Sequence, residues 1–302
     1  MGCFDSAKKI HLRLVRNVLN RNLILHSQQV SGFYDYYARW LEQSGARIVP
    51  IRYNAPREEL DELFSSINGL LYTGGDLSLK FDTPYYKTAH YLYNKAIAAN
   101  DEGDFFPIWG TCMGFQLISI MAAVDYSVLD HGVYDSDGIM LPLVPTEYAS
   151  SSRMLARASK ELLHDIFEKP TTVNLHHDGI TPETWASNEK LSSFFDVIST
   201  NEDSKNRPFI STFEAKDYPI YGAQWHGEKV AFDFMDKTES NGTFINHSYE
   251  AVAVSQYFSN FFVSECRKSQ HRFQSATEES NHLLYHFTPR IEGNSAVLYT
   301  FE

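Results

Sequence analysis

Cys112 sits between two glycines in the run Gly110-Thr111-Cys112-Met113-Gly114, and the apolar stretch Phe105 to Trp109 leads into it. A stretch of that length suits a buried strand, and Phe115, Leu117, Ile118 and Met121 downstream fit a helix packing inward. The pattern is a sulfur version of the strand–turn–helix elbow that displays a nucleophile at the carboxyl edge of a parallel sheet. So sharp a turn holds the nucleophile in a strained backbone conformation, and side chains on either glycine would collide with strand or helix. A helix starting just after Cys112 points free N–H groups at the sulfur and favours thiolate over thiol. The competing reading is a buried structural cysteine beside a tight turn.

A cysteine nucleophile for acyl transfer needs a base, a group to orient that base, and donors for the oxyanion. His226 ends the apolar strand that begins at Pro219, and Glu228 follows two residues later. In an extended segment that spacing turns both side chains the same way, so Glu228 can hold the far nitrogen while the near one faces Cys112. The Met113 N–H is one candidate oxyanion donor. Gly75 is the other, in the Gly74-Gly75 pair that closes a neighbouring strand, where a missing Cβ lets substrate approach. The adjacent pair His176-His177 cannot readily chelate one ion, and no matching cysteine or carboxylate pattern accompanies it. Neither a metal nor a cofactor is required, since a thiolate and an imidazole suffice.

The elements that must position these groups alternate. Leu23-Ile24-Leu25 is a candidate first strand. Tyr34 to Leu41 reads as a helix ended by Gly45, Ala46 to Ile51 as a strand, and Arg57 to Ile67 as an amphipathic helix. Gly69 to Tyr72 is a strand, and a helix through Leu92, Ala96 and Ile97 leads to the elbow. Asp125 to Ser152 offers no long element. A helix is expected over Ser152 to Phe167, closed by Pro170, and short strands at Val173 to Leu175, Phe194 to Ser199 and Phe209 to Phe213. After a polar insertion (232–246) comes a long helix, Ser248 to Arg267, and the tail from Leu283 offers short strands at most. Such alternation predicts an α/β fold whose parallel sheet is covered on both faces. Residues 1–22 are poorly patterned, and 23–302 read as one catalytic domain.

At 302 residues the chain can bury a substantial core, and its formal charge of −12 with no basic stripe argues against nucleic acid as a main partner. Three cysteines, Cys3, Cys112 and Cys266, cannot build a disulfide framework. No run approaches the roughly 18 to 20 apolar residues of a spanning helix. No signal peptide is visible, because Lys8, Lys9, Arg13 and Arg16 interrupt any apolar core. Met1-Gly2-Cys3 fits a lipidation pattern, and Asn241 and Asn246 head glycosylation sequons.

Gly-Gly after one strand, Gly-Thr-Cys-Met-Gly-Phe after a later one, and Gln224-Trp225-His226-Gly227-Glu228-Lys229 together resemble the class I glutamine amidotransferase superfamily. Within it the longer match is to the gamma-glutamyl hydrolase family, the cysteine hydrolases of folate and antifolate poly-gamma-glutamates. The similarity runs from Trp40-Leu41-Glu42-Gln43-Ser44-Gly45 to Phe261-Phe262-Val263, most of the chain beyond residue 33. It implies a three-layer αβα sandwich, with Cys112 as nucleophile, His226 as general base and Glu228 as third triad member. Gly75 and Met113 would be the oxyanion donors, and Gly74 and His176 would contact substrate. It further implies a folate poly-gamma-glutamate substrate, a homodimer, and a lysosomal, vacuolar or extracellular location, while the absent signal leaves the cytoplasm open. A free-standing glutaminase or gamma-glutamyl-amine hydrolase, and a catalytically inactive binding relative, are the alternatives. Two features depart from the family. Gly227 stands where it usually has proline, and its first strand normally follows a secretory signal.

Overall fold

The computed structural model describes residues 10–15, 31–234, 245–292 and 296–301. The chain runs β1 (Ile10–Val15), β2 (Ser31–Tyr34), α1 (Asp35–Glu42), β3 (Ala46–Ile51), α2 (Arg57–Ser66), β4 (Gly69–Tyr72) and α3 (Pro84–Asp101). It continues through β5 (Ile108–Thr111), α4 (Met113–Ala123), β6 (Ser136–Leu141), β7 (Val144–Pro145), α5 (Lys160–Glu168) and β8 (Thr172–His176). Then come α6 (Pro182–Ser187), α7 (Glu189–Phe194), β9 (Phe195–Glu202), β10 (Pro208–Ala215), β11 (Ile220–Ala223) and α8 (Gly227–Phe232). The last elements are α9 (Tyr249–Cys266), α10 (Ala276–His282), β12 (Pro289–Glu292) and β13 (Ala296–Phe301).

Eight strands form the central sheet in the order β3-β1-β4-β5-β11-β10-β9-β7. The pairs from β3 to β11 are parallel, and those from β11 to β7 antiparallel. Successive residues of a strand face opposite ways, and the core divides accordingly. Leu70, Ile108 and Ile220 pack with α2, α3 and α4 on one face. Leu71, Trp109 and Tyr221, which stand side by side across three strands, pack with α1 and α9 on the other. This is the expected αβα sandwich. Two smaller sheets flank it, β12-β13-β2 and the antiparallel ribbon β6-β8.

Two expectations need correction. The segment read as poorly patterned contains β1, which lies between β3 and β4 in the sheet. His11 and Arg13 break its apolar run into a mixed pattern. The expected strand Leu23 to Leu25 lies outside the described residues, as do the lipidation pattern at Met1-Gly2-Cys3 and the sequon at Asn241. The helix expected from Ser152 begins only at Lys160, where the Ser159 side chain accepts from the Leu162 N–H. Residues before it are diverted by the buried Glu214 carboxylate, which takes the Arg153 and Met154 N–H groups and the Ser152 hydroxyl. The stretch 125–152, expected to offer no long element, supplies the six-residue β6, partner of the strand that carries His176.

Candidate active site

The elbow is built as its glycines demand. Cys112 lies between β5 and α4 as the helix's N-cap and has φ 52° and ψ −107°, a left-handed conformation that costs a non-glycine residue about 1–3 kcal/mol. Its N–H donates to the Ala223 carbonyl at 2.8 Å, and its carbonyl accepts from Gln116 N–H at 3.0 Å, so both neighbours hold the strained residue. A Cβ on Gly114 would lie 2.0 Å from the Tyr72 carbonyl oxygen, and one on Gly110 2.5 Å from the Gly114 carbonyl oxygen. Helix and strands approach too closely for any side chain there. Cys112 itself is only 5% exposed, with Sγ 3.8 Å from the Leu175 carbonyl of β8.

His226 is brought to the elbow by a different route from the one its sequence suggests. β11 stops at Ala223, and His226 is the N-terminal cap of the short helix α8. Its N–H donates to the Val173 carbonyl of β8 at 2.8 Å. Glu228 lies in the first turn of α8, and its Oε1 is 2.5 Å from Nδ1 of His226, both side chains buried. With Nδ1 engaged, Nε2 is the nitrogen left for the sulfur. Burial alone would push the imidazole's pKa down, but the Glu228 and Cys112 charges and their hydrogen bonds outweigh it and raise it to about 9. The arrangement therefore favours an imidazolium beside the sulfur.

Gly74 is where the parts converge. A Cβ there would lie 2.7 Å from Cε1 of His226, 3.2 Å from Cβ of Cys112 and 2.6 Å from the Tyr37 hydroxyl. Its N–H donates to that hydroxyl at 2.9 Å, which ties the loop after β4 to α1. Gly75 follows, partly exposed. Met113 is the first residue of α4 and 2% exposed. The N–H groups of a helix's first turn have no partner within the helix.

His176 ends β8 and is 5% exposed. Its Nδ1 lies 2.9 Å from the Asp178 carbonyl, which can only accept, so Nδ1 carries the proton. Nε2 is buried and has no hydrogen-bond partner among the described residues. Burial, above all, holds this imidazole neutral, with its pKa lowered to about 3, and the charge of His226 pushes the same way. The ring stands edge-on to Phe209, centroids 4.7 Å apart. Its neighbour His177 points elsewhere, with Nδ1 3.0 Å from the Tyr134 carbonyl.

Sequence reasoning passed over three buried polar residues here: Tyr37, Gln116 and Lys229. Lys229 follows Glu228 on α8, and its Nζ lies 2.7 Å from Asp233 and 3.0 Å from the Tyr36 hydroxyl. Burial opposes its charge, but Tyr36, Asp233 and Glu228 together hold the ammonium above its ordinary pKa. Lys229 ends the Gln224-to-Lys229 motif without a role assigned to it, and a lone glutamine in a helix pattern carries no signal; only the fold reveals their burial. Among the described residues no group of three or more His, Cys, Asp or Glu side chains could hold a metal ion.

Residues 17–228 match the family model described as Peptidase C26. The chain belongs to that family. It is a cysteine-type hydrolase of the gamma-glutamyl hydrolase kind, and similar relatives span most of its length. Human gamma-glutamyl hydrolase is 38% identical over 294 residues, covering 96% of this chain and 88% of the relative. Gamma-glutamyl hydrolase B of Dictyostelium discoideum is 37% identical over 253 residues, 84% of this chain and 71% of the relative. Among solved structures, a Thermoplasma acidophilum protein described as a GMP synthase component superimposes with a TM-score of 0.52. At 14% identity, over 87% of this chain and 96% of that one, the likeness speaks for the fold alone. The C26 chain thus has the class I glutamine amidotransferase-like architecture, and no described helix is long and apolar enough to cross a membrane.

Proposed function

We propose that this chain hydrolyses gamma-glutamyl amide bonds of folate poly-gamma-glutamates through a Cys112–His226–Glu228 triad. The observation that carries the reading is the convergence of Cys112, His226 and Gly74 at one point, with Glu228 on the far nitrogen of the imidazole. The names of the relatives supply the bond type.

In this mechanism the Cys112 thiolate adds to the gamma-carbonyl carbon, and the carbonyl oxygen becomes an oxyanion held by the Gly75 and Met113 N–H groups. The C–N bond breaks as the His226 imidazolium gives its Nε2 proton to the departing amine of the next glutamate. A thioester remains. The neutral imidazole then takes a proton from water, whose oxygen adds to the thioester, and collapse releases the gamma-carboxylate and the thiolate. Glu228 stabilises the imidazolium and fixes its tautomer, and the neutral His176 accepts a substrate N–H.

Incubation with a folate pentaglutamate, products resolved by mass, tests the substrate; loss of terminal glutamates or shorter oligomers is expected. Cys112→Ser should abolish turnover with unchanged melting, because oxygen's much higher pKa leaves too little nucleophile. Turnover within about threefold of wild type would remove Cys112 from its role. Preferential release of ammonia from glutamine would instead favour a glutaminase. Failure of Cys112 to react with an iodoacetamide probe would favour an inactive binding relative.

A further inference from the structure

Gln116 is buried on α4, one turn beyond the nucleophile. Its side-chain nitrogen lies 3.1 Å from the Asp178 carbonyl oxygen and 3.3 Å from Oε1 of Gln224, which is also buried. The orientation of both amides follows from the carbonyl. Asp178 O can only accept, so Gln116 must turn its NH₂ toward it, and Gln224 must then turn its oxygen toward Gln116. The same Asp178 carbonyl accepts the Nδ1–H of His176 at 2.9 Å. A directed chain thus runs from β11 through α4 to the end of β8. It finishes in two buried polar atoms that have no partner among the described residues, Nε2 of Gln224 and Nε2 of His176. Buried polar atoms are rarely left unpaired, and this acceptor lies in the candidate site.

We infer that Gln116 is a positioning residue of the reaction. Its amide holds the Asp178 carbonyl where that carbonyl takes the Nδ1 proton of His176, so Nε2 of His176 stays a bare acceptor for a substrate N–H. Asp178 lies beyond the end of β8, where the Gly179 N–H of the same peptide donates to the Asp130 carbonyl at 3.1 Å, and Gln116 holds that peptide from its carbonyl side. Gln116 does so from α4, whose Gly114 packs closely against Tyr72 of β4. The Phe209 ring meanwhile fixes the plane of the imidazole, leaving its tautomer as the quantity Gln116 controls.

The inference rests on the proposed substrate contact of His176, and the test separates the two. Gln116→Met keeps the side chain's length and removes both donors. It should raise KM on a gamma-glutamyl substrate about tenfold, the scale of one lost hydrogen bond, with a smaller change in kcat. In a His176→Asn background the same change should alter KM by less than about twofold, because Gln116 acts only through His176. Undiminished losses in that background would overturn the role of Gln116. Wild-type activity of His176→Asn alone would instead overturn the substrate contact. Nitrogen-15 spectra of the wild-type imidazoles give a readout that needs no variant to fold. His176 should be neutral with its proton on Nδ1 and, in Gln116→Met, should shift toward a mixture of tautomers. A wild-type His176 protonated on Nε2 would refute the inference outright.

Discussion

Nδ1 of His226 lies 2.5 Å from Oε1 of Glu228 across the start of a helix, with His226 still extended and Glu228 already in the first turn. The contact is closed by a change of backbone conformation between the two residues. Its orientation is anchored outside α8, by the His226 N–H on Val173 and by the Gly227 carbonyl, which accepts the Ser255 hydroxyl at 2.6 Å.

Glu228→Gln should therefore slow the reaction while sparing substrate affinity. The amide can still bond the imidazole but cannot stabilise the imidazolium by charge, and it can present the wrong group. A loss of about 10- to 10⁴-fold is expected, since the share of a third triad member varies widely. His226→Ala should cost at least as much, and the double variant little more. Single-turnover rates on all three decide it; additive losses would mean that Glu228 works independently of the histidine.

The proton on His226 also links stability to pH. In the folded chain it is held to about 9, against about 6.5 for an unfolded histidine. The raised value contributes stability that is fully present below about pH 6.5 and is lost as pH rises through about 9. Burial works against that proton, and of the causes that raise the pKa the Glu228 charge is the largest and Cys112 the next. Melting temperature should accordingly fall across that window, and Cys112→Ala should flatten the fall. The same slope in both proteins would mean that the sulfur does not charge the imidazole.

How much of this was legible in the sequence depends on whether the signal is local. Ala46–Ile51 and Gly69–Tyr72 have the bounds their composition suggests, because buried parallel strands are short apolar runs between helices. The elbow is legible because two glycines and a cysteine fit a single turn. The ribbon β6-β8 was legible only on one side: Val173 to Leu175 reads as a strand, but β6 is mostly half-buried and its partner lies about thirty to forty residues on, so nothing local marks it. Yet that ribbon supplies the Val173 carbonyl, the Leu175 carbonyl and His176. Likewise the nearness of Glu228 to His226 was read from strand spacing, whereas a helix start produces it.

Lys229→Met should destabilise the fold more than it changes the chemistry directly. It removes one buried, charged partner of Asp233, which is 3% exposed. Breaking a buried ion pair from one side costs about 3–5 kcal/mol, since the remaining charge stays buried. Lys229→Met/Asp233→Leu should recover much of that loss. Urea unfolding of the two variants is the measurement, and a cost below about 1 kcal/mol for the single change would show that the pair is well hydrated.

Gly227→Pro should leave activity equal or improved, although it changes the residue between the proposed base and its proposed orienter. Gly227 is the first residue of α8, the helical position where proline is best tolerated because its missing N–H has no intrahelical partner. His226 before it has φ −102° and ψ 102°, the extended region that a following proline requires. Proline at a compatible site typically stabilises by about 0.4–1 kcal/mol, by narrowing the unfolded chain. Against this, a Cβ at 227 would lie 3.0 Å from Cζ3 of Trp225, which is 1% exposed and has little room to give. The tight contact is with one edge atom of a ring, and the Trp40 atoms beyond stand at 3.6 Å or more. A shift of a few tenths of an ångström relieves it, so the backbone gain should prevail. Thermal melting and the rate on a gamma-glutamyl substrate check the two halves separately. A rise in melting temperature with a large loss of rate would mean that the glycine's freedom is needed for the imidazole to move between sulfur and leaving nitrogen.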